Sequence, residues 1–192
     1  MIIAGSRLLD APVMGLQTGS ELARTTRAIV DPATLAIVAY EITGALIGDA
    51  NLLRVADVRE FSNLGLIVDS QDEFVAPEDV IKLHEIYELG FEPLGMPVTD
   101  EKRSKLGKVN SYTIETTTFT IQQLSVRRPL LKSLGDTELL IHRSQIIEIN
   151  DKSIVVHSKA EIPEPRLEQI RTSYVNPFRK AEPGRIDRNE NS

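Results

Sequence analysis

The sequence predicts a mainly β protein: two tandem small β-barrels, joined by a short connecting helix and followed by a partly disordered C-terminal tail. Three observations predict it. The chain repeats itself at a nearly constant spacing. Its apolar residues are mostly aliphatic, with aromatics at only 5% and no Trp, so the cores must be built from Ile, Leu and Val. β-branched side chains pack well on a pleated surface. Short apolar stretches then recur between turn signals, which is the signature of closely spaced strands.

The repeat is read directly. Ser20-Glu21-Leu22, Ala28-Ile29-Val30-Asp31 and Leu35-Ala36-Ile37 in the first half match Ser104-Lys105-Leu106, Tyr112-Thr113-Ile114-Glu115 and Phe119-Thr120-Ile121, all 84 residues later. Pro12-Val13 matches Pro97-Val98 at an offset of 85. Val58 matches Ile146, and Leu66-Ile67-Val68-Asp69-Ser70 matches Ile154-Val155-Val156-His157-Ser158, both at 88. A slowly drifting offset implies two copies of one unit, the second with four more residues in an intervening loop. Each copy is large enough to fold as a small domain.

In the first copy, strands are expected over residues 21–30, 35–42, 52–55, 58–61 and 66–69. Asp31-Pro32 between the first two places Asp and Pro at the favoured opening positions of a type I turn. The second copy gives strands over residues 108–115, 119–126, 139–143, 146–149 and 154–157, with Thr116-Thr117-Thr118 as the first turn. Between Ile121 and Leu124 the apolar phase changes, which predicts a β-bulge. Strands this short and this closely spaced favour small barrels. The barrels are expected over residues 6–76 and 90–162. Between them, within 77–89, Val80, Leu83, Ile86 and Tyr87 fall on one helical face, and Gly90 ends the pattern. Beyond residue 162 a short helix over 166–174 and a tail are expected. The Pro, Gly and polar residues after Asn176 predict a disordered end.

Both copies resemble the PRC-barrel family. The second carries Leu94-Gly95-Met96-Pro97-Val98, Leu106-Gly107-Lys108-Val109, Leu139-Leu140-Ile141, Ile146-Ile147-Glu148-Ile149 and Ile154-Val155-Val156. The first carries Ala11-Pro12-Val13, Ile29-Val30-Asp31-Pro32, Ala56-Asp57-Val58 and Leu66-Ile67-Val68, with Leu22-Ala23-Arg24-Thr25 where the second has Leu106-Gly107-Lys108-Val109. The second copy is similar to the C-terminal barrel of the ribosome-maturation factor RimM. The resemblance implies a small barrel that serves as an adaptor and carries out no catalysis itself.

The residues point the same way. With no Cys, disulfides, thiol nucleophiles and Cys-ligated zinc are excluded. No Gly-rich phosphate loop or nucleophile-elbow motif is present. The three histidines do not form a ligand set: His84 sits one helical turn from Glu88, and His142 and His157 fall on separate strands. The chain is therefore expected to be no enzyme and to use no cofactor or metal. No apolar stretch reaches the ~18 residues of a membrane span, and the N-terminus reads as no signal peptide, so a cytoplasmic location is expected.

Charge singles out the second half. Residues 1–85 hold 6 Lys and Arg against 13 Asp and Glu, whereas residues 166–192 hold 6 against 4. Two basic clusters, Lys102, Arg103, Lys105 and Lys108, then Arg127, Arg128 and Lys132, mark a candidate contact for RNA, an anionic lipid or an acidic protein. No aromatics interleave with them, which argues against base stacking. In the tail, Tyr174 and Phe178 flank Pro177 and are followed by Arg179 and Lys180, the pattern of a docking peptide or, equally, of a segment that folds back on its own barrel. The expectation is an adaptor that binds another protein through its barrels or its tail. The alternative is an RNA- or ribosome-associated factor that uses the basic face of the second copy.

Overall fold

The computed structural model describes residues 1–45, 47–128 and 138–157. Residues 1–158 form one compact unit. The expected helix over 166–174 and the tail with Tyr174, Phe178, Arg179 and Lys180 lie outside the described residues, as does Lys132.

The fold is mainly β, with fourteen strands among the described residues: β1 (Ile2–Ala4), β2 (Pro12–Gly15), β3 (Glu21–Asp31), β4 (Ala36–Thr43), β5 (Leu52–Arg54), β6 (Glu60–Ser62), β7 (Gly65–Val68), β8 (Phe74–Val75), β9 (Pro97–Asp100), β10 (Lys105–Glu115), β11 (Thr120–Arg127), β12 (Glu138–His142), β13 (Ile146–Ile149) and β14 (Ile154–Val156). The helix α1 (Ile81–Glu88) follows a 3-10 turn over Pro77–Asp79. The ten expected strands fall on β3 to β7 and β10 to β14, with ends shifted by a few residues.

The sequence repeat is a repeat of strand pairing. In the first half β2 pairs antiparallel with β3 and parallel with β7, β3 pairs with β4, β4 with β5, and β6 with β7. In the second half β9 pairs antiparallel with β10 and parallel with β14, β10 pairs with β11, β11 with β12, and β13 with β14. The registers agree as well: Val13 faces Leu66, and Val98 faces Ile154. The expected bulge is present, because Thr113 and Ile114 face Gln123 and Ile121, leaving Gln122 as the extra residue.

The sheet is not closed among the described residues, so the two expected barrels are not confirmed. Among the described residues no pairing joins β5 to β6 or β12 to β13, and all fourteen strands belong to one open sheet. The halves are joined in their middle. Ala36 of β4 faces Thr120 of β11, and these are the same position of the repeat. Around them Ile37 N–H donates to the Phe119 carbonyl (2.8 Å) and Ile121 N–H donates to the Leu35 carbonyl (2.9 Å). The contact is therefore a local two-fold within one chain, as in an isologous dimer. Strand β1 adds a second tie, with Ile3 facing Ile114 of β10.

Burial follows this joint. One continuous cluster contains Val13, Val30, Ile37 and Leu66 from the first half and Val98, Ile114, Ile121, Leu124 and Ile154 from the second. Leu35 and Phe119 both adopt positive φ (58° and 49°), a conformation that costs an L-residue ~1–2 kcal/mol. Both are buried, at 5% and 6% exposure. Burying a large side chain at the joint offsets that strain, which Gly would avoid at the cost of the side chain. A smaller cluster of Ile29, Ala39, Leu52 and Leu83 lies under α1. There Arg27 makes a two-pronged ion pair with Glu41 (Nε–Oε2 3.0 Å, Nη2–Oε1 2.6 Å), and its guanidinium lies 5.4 Å from the Tyr87 ring.

Two outcomes follow. Phe119→Ala should lower stability by about 3 kcal/mol, and hydrogen exchange should show amides of β3 and β11 losing protection together; loss confined to the second half would contradict a shared core. Separately, the Arg27 hydrogen bonds, aided by the Tyr87 hydroxyl, hold the Glu41 carboxyl below its ordinary value against the opposing effect of burial. A lowered carboxyl pKa stabilises the fold above the ordinary carboxylate range, and that stability is lost as pH falls through the folded value. The melting temperature of Glu41→Gln should therefore change less between pH 5 and pH 3 than that of the parent protein, as read by circular dichroism.

Candidate functional site: a cationic groove in the second half

Strands β9, β10 and β11 of the second half border a groove of about 440 Å³ lined by Pro97, Val98, Gly107 and four cationic residues, Lys105, Lys108, Arg127 and Arg128. Pairing explains why the cations meet. Lys108 of β10 faces Arg127 of β11 on one side and Pro97 of β9 on the other. Directly paired residues present their side chains on the same face of a sheet. Lys105 joins them because the β9–β10 pair shifts register between Lys105 and Gly107. Lys105, Lys108 and Arg127 are exposed and Arg128 is half-buried.

Gly107 shapes the groove. Its φ is +153°, and a Cβ placed there would stand 2.1 Å from the carbonyl oxygen of Arg127. Only glycine lets β10 and β11 approach this closely. The equivalent residue in the first half is Ala23, which is buried on β3.

The two halves differ sharply in charge at this place. In the first half Arg24, the equivalent of Lys108, donates from Nε to Asp10 (2.8 Å), from Nη1 to Glu21 (3.1 Å) and from Nη2 to the Asp10 carbonyl (2.6 Å). The side-chain bonds to Asp10, then Glu21, raise the Arg24 pKa above its ordinary value. In the second half Asp10 is replaced by Gly95 and Glu21 by Lys105, while Thr43 and Gly44 become Arg127 and Arg128. One cation held by two carboxylates becomes four cations. Among the described residues none of the four makes an ion pair with a carboxylate. The nearest acid in the pairing scheme is Glu138 of β12, opposite Arg127, whose carboxylate accepts from the Ser125 hydroxyl.

Of the basic residues singled out in sequence, the structure brings together Lys105, Lys108, Arg127 and Arg128. Lys102 and Arg103 stand apart, exposed in the β9–β10 turn. The Asp100 carboxylate holds that turn by accepting from the Lys102 and Ser104 amides (2.9 and 2.7 Å). Pro97 and Gly107 were not singled out as site residues. Reading the charges across the repeat, Glu21 against Lys105 and Arg24 against Lys108, is the signal that marks the groove.

The histidines are dispersed. His142 Nδ1 lies 2.8 Å from the Ser144 hydroxyl, His157 Nδ1 lies 2.6 Å from Glu101 Oε1, and His84 is on α1. Two other clefts, of about 430 and 450 Å³, run along the joint between the halves on either side of Pro32 and Ile149. Arg143, the cation lining the first of them, donates to the Thr34 carbonyl at 3.1 Å. Among the described residues no helix is long and apolar enough to cross a membrane.

No protein-family model and no curated protein sequence matches the chain. The groove must therefore be interpreted from its own chemistry.

Replacing Gly107 by Ala should cost roughly 3 kcal/mol, because a methyl group meets backbone rather than a movable side chain. Denaturant unfolding measures this; a loss under about 1 kcal/mol would mean that β10 and β11 separate easily at the groove.

Proposed function

We propose that this chain is a non-enzymatic cytoplasmic adaptor that holds an acidic protein against the cationic groove of its second half. The observation that carries the reading is the contrast within the repeat. The first half neutralises this position through Arg24, Asp10 and Glu21, while the second half carries Lys105, Lys108, Arg127 and Arg128 there. Four like charges side by side repel one another and destabilise the free protein. An anionic partner turns that cost into binding energy and speeds encounter.

A protein partner is favoured over RNA because, among the described residues, no aromatic side chain lines the groove on which a base could stack. The resemblance to PRC-barrel adaptors supports the same reading.

Capture from lysate with the full chain and with a Lys105→Glu/Arg127→Glu variant tests it. The partner recovered on the parent chain should be an acidic protein. It should survive nuclease treatment, and the charge-reversed variant should recover about tenfold less of it. Recovery that disappears on nuclease treatment would replace the adaptor reading with the RNA-associated one.

A further inference from the structure

The groove is more than a patch of charge. Pro97, Val98 and Gly107 line it beside the cations, and β10 places the cations at two ends. Lys105 and Lys108 face Thr99 and Pro97, two residues apart on β9 because of the register shift, so they stand about 7 Å apart along the strand. Lys108 pairs with Arg127 and so groups with Arg128 at one end, leaving Lys105 at the other. The carboxylates bordering the groove do not fill it. Glu138 accepts from Ser125, Glu101 Oε1 lies beside His157, and Asp100 holds the turn amides.

We infer that the groove selects an extended acidic peptide carrying one aliphatic side chain. That side chain rests against the exposed Pro97 and the half-buried Gly107. Carboxylates on either side of it meet Lys105 at one end and Lys108, Arg127 and Arg128 at the other. This rests on the adaptor reading above and narrows it to a sequence class. An extended chain rises about 3.3 Å per residue, so a stretch of about three residues spans the two cationic ends with a side chain between them. Charge supplies rate and orientation. The apolar contact supplies discrimination, because a bare polyanion gains nothing from the surface of Pro97.

Fluorescence anisotropy with the full chain and two labelled acidic nonapeptides tests this. The peptides are identical except for a central Leu or Ser. The Leu peptide should bind about tenfold more tightly, and salt should weaken both. Pro97 is exposed, so Pro97→Ser should leave the fold intact while reducing the preference to about threefold or less. Equal, salt-sensitive binding of both peptides overturns this inference and leaves the adaptor reading standing. Binding of neither peptide, or tighter binding of a labelled oligouridine than of both, overturns the adaptor reading with it.

Discussion

The reciprocal backbone bonds between Ile37 and Phe119 and between Ile121 and Leu35 organise this protein. They join the same repeat position of the two halves, so β2 to β7 on one side have their counterparts in β9 to β14 on the other. The joint also explains the backbone at Leu35 and Phe119. Each leaves its hairpin turn at positive φ and drives a large side chain into the common core. In the first half that turn is held locally: Asp31 accepts from the Ala33 amide (2.9 Å), the Thr34 hydroxyl (2.7 Å) and, through its carbonyl, the Leu35 amide (2.8 Å). Strain at one residue persists when its neighbours fix the conformation from several directions.

Around this joint the halves have diverged toward different work. The outer face of β3, β4 and β5 is apolar and covered: Ile29, Ala39 and Leu52 are buried against Leu83 of α1. Their equivalents in the second half are Thr113, Gln123 and Leu140. The first two are polar and half-buried, and Leu140 is 50% exposed where Leu52 is fully buried. A residue facing a helix must be apolar to benefit from burial, whereas Thr and Gln keep their hydrogen-bonding groups near solvent. The first half thus devotes its surface to internal packing and ion pairs. The second half keeps its charges exposed.

Much of this was legible in the sequence, for identifiable reasons. The repeat offset fixed the strand set, since β3, β4, β10 and β11 are long and strongly patterned. The phase change at Gln122 reported a bulge because one inserted residue reverses which side chains face inward. Strands β1, β2, β8 and β9 were not legible: two to four residues are too few to show a period, and the partners of β1 and β8, β10 and β5, lie far along the chain or across a loop. Closure was equally out of reach, because it depends on whether β5 meets β6 and β12 meets β13, and no residue pattern in those short strands encodes the gap. Of the six cations singled out and now described with Lys108 among them, four share the groove. Lys102 and Arg103 do not, since the Asp100 turn, with Arg103 at φ +62°, carries them past the strand ends.

The pair Arg24 and Lys108 shows how a substitution that preserves charge can change what a side chain holds. Guanidinium is a planar fork with five donors, and Arg24 uses it to bind Asp10 at both carboxylate and carbonyl while reaching Glu21. It thereby fixes the segment before β2, where Asp10 itself has φ +56°. In the second half that structural task is already done by the backbone. Gly95 takes the positive φ without a side chain, and the Gly95 amide donates to the Val109 carbonyl (2.8 Å) as the Asp10 amide does to Thr25 (2.9 Å). Once glycine relieves the backbone there, a guanidinium clamp has nothing to hold. An ammonium on a flexible stem then suffices, with its three donors left to solvent. Loss of the local acid and release of the local cation are one change, and together they convert a buttress of the first half into a cluster of exposed cations in the second.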